Sequence, residues 1–266
     1  MSTVGVRSQI TAFIFPLVLG ILAAVGTAVC GGEGDPVSYV GIAPEKYLTG
    51  RFDPVRTPDF IELSMLGIPV KGERQYLRRE AAEALAAMYR DFSKAHPGID
   101  FRVRSSTRNW DRQKAIWESK WRGHTPVGGA RLNETIVDPA ARSLKILEFS
   151  SMPGTSRHHW GTDFDLQALD NGYYESGAGR TLYLWLAANA HSYGFCQPYT
   201  AGRSAGYLEE KWHWSYMPLA RDLLADWIRI FKNSPERIVE EDGFAGSDSA
   251  LPLATLYVES VNRACR

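Results

Sequence analysis

The chain lacks a surplus of either charge, is poor in cysteine and contains no repeats. Its 266 residues carry 30 Lys plus Arg against 30 Asp plus Glu, so no basic excess exists to neutralise a phosphate backbone, and general nucleic-acid binding is disfavoured. There is no internal repeat, heptad series or low-complexity tract, which argues against solenoids and coiled coils. Wholesale disorder is excluded by a composition of 44% hydrophobic and 23% charged residues, ordinary for a globular domain. Beyond residue 30 no segment approaches the roughly 18 uninterrupted apolar residues that a membrane-spanning helix requires. Whatever specificity the protein has must therefore sit in a local site.

The N-terminus is the exception. Arg7 is the only charged side chain among the first 30 residues, and Ile10 to Val29 is apolar but for small or weakly polar residues and Pro16. A short positive region, an apolar stretch and then small residues predict an export signal cleaved near Ala28 to Cys30. At about 20 residues the run is also long enough to remain in the bilayer as an anchor. Lipidation at Cys30 fits less well, because the bulky Val29 precedes it. The rest is expected to be an exported, monomeric domain in the periplasm or cell envelope, touching the membrane only through this segment. Two cysteines then remain, Cys196 and Cys265. An even count in an oxidising space predicts a disulfide; two unpaired buried thiols are the alternative, since sequence does not reveal geometry.

Four stretches follow along the chain: the signal or anchor over 1–30, an irregular wrapping segment over 31–75, the main domain over 76–233 and a C-terminal extension over 234–266 packed on it. The wrapping segment is rich in Gly, Pro and Asp, which argues against regular helices and allows part of it to cover a groove. Leu77, Ala81, Ala84, Leu85, Met88, Tyr89 and Phe92 keep helical spacing and predict a helix over Tyr76 to His96, stopped by Pro97-Gly98. Alternation predicts a strand over Ile99 to Ser105. Further helices are expected over Trp110 to Trp121, Pro139 to Phe149, Arg180 to Tyr193 and Tyr216 to Lys232, with a loop over Gly123 to Asn133 and short strands over Thr162 to Ala168 and Lys211 to Tyr216. The pattern is one α+β domain, a small sheet surrounded by helices.

Chemistry concentrates in two places. Ser156 to Asp165 (SRHHWGTDFD) holds two histidines and two carboxylates around a glycine, and Glu209 to Tyr216 (EEKWHWSY) places a Glu three residues before a His. Neutral imidazoles and a carboxylate suit a catalytic zinc, which takes three protein ligands and leaves one position open. His158, Asp165 and His213 would make that set, with Glu210 as a free carboxylate able to take a proton from water. Asp163 and Asp165 share one face of the expected strand because side chains alternate. Gly161 would let the chain turn between His158 and that strand.

These residues resemble the zinc D-alanyl-D-alanine carboxypeptidases of the VanY and VanX type, whose fold is shared with the Hedgehog signalling domain and lysostaphin-type peptidases. The family carries S-x-H-x-x-G-x-A-x-D and then E-x-W-H; Ser156, His158, Gly161 and Asp165 fill the first, and Glu210, Trp212 and His213 the second. Its upstream S-x-x-R-S-x-x-x-Q element is matched by Ser105, Arg108 and Gln113, with Asn109 where Ser is common. Asp163 stands where the family has Ala. The resemblance spans roughly Leu77 to Leu223 and implies a small antiparallel sheet, zinc on His158, Asp165 and His213, Glu210 as general base and then acid, Arg108 as oxyanion donor, and Ser156 and Gln113 as substrate contacts. It implies a substrate, a peptidoglycan stem peptide ending in D-Ala-D-Ala, from which a terminal D-Ala is removed.

The rivals are an endopeptidase of the same fold and, from another class, a zinc-stabilised wall-binding module without catalysis. A purely structural zinc site has no use for Glu210 and Arg108 beside the metal, which weighs against the latter. His159 and His191 lack such company, so packed or solvated histidines are the simpler reading, and His96 and His124 sit at turns near the surface. Trp110, Trp117 and Trp121 have the spacing of a helix core; Trp160, Trp212 and Trp214 flank the expected ligands and could wall the pocket.

Overall fold

Tyr47 and Leu48, on the short helix α1 (Pro44–Leu48), are fully buried, so the Gly- and Pro-rich entry segment is anchored in the core at this point. The computed structural model describes residues 1–2 and 38–266; the expected signal or anchor, Met1 and Ser2 apart, and the start of the wrapping segment lie outside the described residues. No described helix is long and apolar enough to cross a membrane.

The entry segment also supplies strand β1 (Phe60–Glu62), which pairs antiparallel with β2 (Tyr76–Arg78) through Ile61 and Leu77. This corrects the helix start: Leu77 lies four residues before Ala81 and so mimics helical spacing, but its backbone belongs to the hairpin, and helix α2 runs over Arg79–Ala95. Ala81, Leu85, Met88 and Phe92 form its buried stripe. The following alternation holds, with Phe101 and Val103 buried and Arg102 and Arg104 exposed, although only Val103–Ser105 pairs as strand β3. Helix α3 (Trp110–Trp121) has the expected bounds and is capped by the Asn109 side chain, which accepts from Arg112 N. After a turn-rich loop and the single turn α4 (Leu132–Thr135), helix α5 (Pro139–Leu147) starts from an Asp138 cap with Pro139 in the first turn.

Strand β4 (Asp163–Leu166), helix α6 (Gly177–Asn189), strand β5 (Phe195–Cys196), strand β6 (His213–Tyr216) and helix α7 (Met217–Phe231) complete the main domain. Helix α6 begins three residues earlier than its composition suggests. Gly179 lies in it because a Cβ there would stand 2.1 Å from the Tyr173 carbonyl oxygen. Beyond α7 the short helices α8 (Ser247–Ala250) and α9 (Ala254–Glu259) bring Ala250, Leu251, Ala254, Tyr257 and Val258 into the same apolar cluster as Trp117 and Trp227. Cys196 and Cys265 are joined in a disulfide.

The main sheet has the order β3-β4-β6-β5, antiparallel throughout. Its pleat divides β4 and β6 into two chemistries. Phe164, Leu166 and Trp214 point to one side and pack with Leu85, Met88 and Phe92 of α2 and Leu182 and Leu186 of α6. Asp163, Asp165, His213 and Ser215 take the alternate positions, and all four are buried. The face that carries them is polar, a costly arrangement unless each group is paired or holds an ion. A second apolar cluster, built from Trp110, Trp117, Trp160, Tyr199, Tyr207 and Trp227, lies around this face.

Candidate active site

His158 and His213 each spend one ring nitrogen on the protein and turn the other to Asp165. His158 sits in the single 3-10 turn Arg157–Trp160, which ends at Gly161 with φ of 75°; a Cβ there would also lie 2.6 Å from the Phe60 ring. Its Nδ1 meets the Ser106 carbonyl oxygen at 2.7 Å, so the proton is on Nδ1 and Nε2 is left as a lone pair 3.2 Å from Asp165 Oδ2. His213 faces Asp165 directly across the β4–β6 ladder. Its Nε2 donates to Asp163 Oδ1 at 2.9 Å, and its Nδ1 lies 3.0 Å from Asp165 Oδ1. One donor atom from each of His158, Asp165 and His213 falls within 4.8 Å of the others.

These donors fit a metal ion. His158 Nε2 and Asp165 Oδ1 are buried atoms with no hydrogen-bond partner, a state that a shared cation relieves and that buried polar groups otherwise avoid. Burial by itself disfavours a charged His213, yet hydrogen bonds to Asp163, Asp165 and Glu210 raise its pKa well above the usual value. The cluster thus draws positive charge to this point, as a metal site must.

Asp163 is the pivot of a second layer. It accepts from Arg157 Nε at 3.0 Å, Thr162 Oγ1 at 2.5 Å, Ser215 Oγ at 2.9 Å and His213 Nε2. Burial raises a carboxyl pKa, but the Arg157 guanidinium and the His213 hydrogen bond and charge hold Asp163 well below the ordinary range. Its place in the strand is therefore filled by a paired anion that fixes the His213 ring, while Asp165 faces the donor cluster.

Around the cluster opens a cavity of about 800 Å³, within the range of small-ligand sites. Glu210 lines it with Oε2 3.4 Å from His213 Nδ1, and burial pushes its pKa up. The segment that carries it is pinned by amides: Gln197 Nε2 donates to the Glu210 carbonyl, Asn171 Nδ2 to the Glu209 carbonyl, and Lys211 N to Asn171 Oδ1. Arg108 enters from the other side, with Nη1 donating to Ser105 Oγ at 3.1 Å and lying 3.7 Å from Asp165 Oδ2, while its buried Nε has no partner. Its backbone is held at both ends by the histidine turn: Arg108 N donates to the His158 carbonyl, and His159 Nδ1 donates to the Arg108 carbonyl at 2.7 Å. His159 Nε2 accepts from Gly154 N, and burial lowers its pKa to about 3, so the ring is a neutral brace.

Other expectations divide. Gln113 lines the cavity and donates to the Ser151 carbonyl at 2.6 Å. Ser156 is fully buried, its hydroxyl has no hydrogen-bond partner, and it is not among the residues that line the cavity. Of the flanking tryptophans only Trp212 lines the cavity; Trp160 and Trp214 belong to the two apolar clusters. Sequence reasoning missed Tyr199, whose ring lies 4.8 Å from that of His213 and which no periodic pattern marks. It also missed Lys120, although seven residues after Gln113 on one helix is a readable same-face spacing.

The family profile described as VanY, D-alanyl-D-alanine carboxypeptidase, matches residues 74–219. The Bacillus subtilis (strain 168) protein YodJ, whose name is that of a carboxypeptidase, is 29% identical over 190 residues, covering 69% of this chain and 61% of YodJ; the chain therefore spans about three fifths of that relative's length. The LdcB LD-carboxypeptidase structure is similar at 22% identity and a TM-score of 0.47, over 69% of this chain and 82% of that one. The vancomycin resistance D,D-pentapeptidase VanY solved with Zn(II) is similar at 21% identity and a TM-score of 0.42, over 60% and 83%. The matched span takes in more than half of the chain and every residue of the cluster, from Arg108 to His213, and the chain belongs to the VanY D-alanyl-D-alanine carboxypeptidase family.

Proposed function

We propose that the protein is a zinc-dependent carboxypeptidase that removes a terminal D-alanine from peptidoglycan stem peptides. The observation that carries this reading is the convergence of His158 Nε2, Asp165 and His213 Nδ1 on one wall of a cavity that also presents Glu210 and Arg108. Two imidazoles and a carboxylate are the donor set of a catalytic zinc with an open position. When bound, zinc supplies Lewis-acid activation of water and of the scissile carbonyl at neutral pH.

The chain's own groups do the rest. Glu210 takes the proton from the attacking water on a carboxylate oxygen and returns it to the departing amine nitrogen as the carbon–nitrogen bond breaks; a pKa raised by burial suits both transfers. Arg108 donates to the carbonyl oxygen as negative charge develops on it, held in place by His158 and His159 through its backbone. Asp163 keeps the His213 ring aligned, and Gln113 contacts the peptide. The disulfide and the apolar run over residues 10–29 support action outside the cytoplasm, where stem peptides are cross-linked.

The test is incubation of the purified protein, its zinc content verified by elemental analysis, with a synthetic pentapeptide ending in D-Ala-D-Ala, followed by mass spectrometry. Loss of one alanine is expected. Cleavage at an internal bond points to an endopeptidase, and loss of alanine only from a tetrapeptide whose D-Ala follows an L-centre moves the specificity to L,D bonds. No cleavage of any of these peptides overturns the reading.

A further inference from the structure

The cavity is electrically divided. Asp165, Asp170, Glu209 and Glu210 line it from the sheet and the loops beside it, and Arg104, Arg108, Arg112 and Lys120 line it from β3, α3 and the turn between them. Three of the cations are accounted for: Arg108 approaches Asp165, Arg112 pairs with Glu73 at 2.8 Å, and Arg104 is exposed to solvent. Lys120 is different. It is half-buried, its Nζ donates to Ser150 Oγ, and among the described residues it forms no ion pair. Lys94, Lys145, Lys211 and Lys232 each sit within ion-pair distance of a carboxylate; among the described residues Lys46, Lys71 and Lys114 do not, but none of these three lines the cavity.

An ammonium carries three donors, and Ser150 takes one. The remaining two have no protein acceptor among the described residues, while Lys120 lines the cavity two helical turns from Gln113 on the same face of α3, about 10 Å along its axis. Partial burial and the nearby Arg108 charge work against the protonated amine and outweigh the attraction of Glu210 across the cavity, lowering its pKa to about 8. A cation kept at such a place without a counter-charge is stabilised once an anion arrives.

We propose that Lys120, steadied by Ser150, binds a carboxylate of the peptide substrate and so selects which peptides are cut. The inference rests on the carboxypeptidase reading above for the identity of the ligand as a peptide. The carboxylate has two sources, the free C-terminus beyond the scissile bond or the side chain of an acidic residue before it. A guanidinium at this position would present the same charge, so the charge and not the amine chemistry is the recognition element.

The experiment uses the full chain with its zinc and three synthetic stem peptides: one with all carboxylates free, one amidated at the C-terminus and one amidated at its internal acidic residue. Wild type, Lys120→Met and Lys120→Arg are compared for kcat/KM by product release, for Kd by calorimetry, and for zinc content and melting temperature. Lys120→Met is expected to weaken the fully free peptide by about 10- to 100-fold in both kcat/KM and Kd, the range for a charge-assisted hydrogen bond, with zinc content unchanged. Lys120→Arg should restore most of the loss. The peptide lacking the carboxylate that Lys120 binds should be poor in wild type and no poorer in Lys120→Met, which identifies the source. An equal loss on all three peptides, or no loss on any, overturns the assignment. Should wild type cleave none of them, the carboxypeptidase reading fails by itself, and the Kd ratios decide the role of Lys120; absence of binding to every peptide overturns that role too.

Discussion

Replacing Asp163 and Asp165 one at a time should give opposite losses, because the two carboxylates answer to different partners. Asp163→Ala removes the acceptor of four hydrogen bonds and leaves Arg157, 1% exposed, without its counter-charge. Breaking a buried pair in this way costs about 3–5 kcal/mol. At about 2–4 °C per kcal/mol for a domain of this size, the metal-free protein should melt roughly 6–20 °C lower. Its metal donors are all still present, so the loss in zinc affinity should stay near the 10- to 100-fold typical of a partner that only orients a ligand. Asp165→Ala removes a donor outright and should abolish stoichiometric zinc. The charge it strands, on Arg108, belongs to a side chain that is 18% exposed and reaches the cavity, so the melting temperature should move less. Thermal melts of the metal-free variants and zinc affinity by chelator competition measure both halves. If Asp163→Ala loses its metal while Asp165→Ala keeps it, the assignment of the two aspartates is wrong.

Glu210→Gln should bind zinc normally and lose nearly all turnover, because the amide keeps the shape but accepts no proton, whereas Glu209→Gln should remain active; peptide assays that rank the two in reverse would refute the role of Glu210. Arg108→Lys should retain fold and zinc but lose about a hundredfold in kcat, since an ammonium cannot reproduce a positioned guanidinium at a developing oxyanion, and an unchanged rate would move that role elsewhere. Replacing Cys196 and Cys265 together by Ser opens a link between residues 69 apart in sequence and should remove about 4 kcal/mol on the chain-entropy account; coincident unfolding curves for the wild type and the double variant would contradict it.

The donors themselves were legible because the chemistry needs them at short, fixed spacings: a histidine, a glycine turn and an aspartate on one strand, then Glu-x-x-His on the next. Alternation placed Asp163 and Asp165 on one face but could not rank them, since both positions satisfy period two. What separates them is the partner each meets across space, Arg157 for one and the facing His158 and His213 atoms for the other. Arg157, Thr162 and Ser215 escaped notice for the same reason, because a side chain that acts only through another carries no spacing signal of its own. Element ends failed where two periodicities overlap. Leu77 suits a helix and a hairpin equally, and the glycines that open α6 read as a loop although Gly179 is what lets Tyr173 approach.

The buried pair of Arg157 and Asp163 also constrains how this chain can change. The family pattern has an alanine where Asp163 stands, and alanine needs no partner. Passing from one state to the other by single substitutions means living for a time with either a lone buried guanidinium or a lone buried carboxylate, and each is worse than both ends of the path. The two positions are therefore expected to be inherited as a unit, together with the hydroxyls of Thr162 and Ser215 that accept or donate to whichever charge is present. A relative with Asp at the position of Asp163 should carry Arg at that of Arg157, and a sequence library that varies them independently should recover the matched combinations and few of the mixed ones.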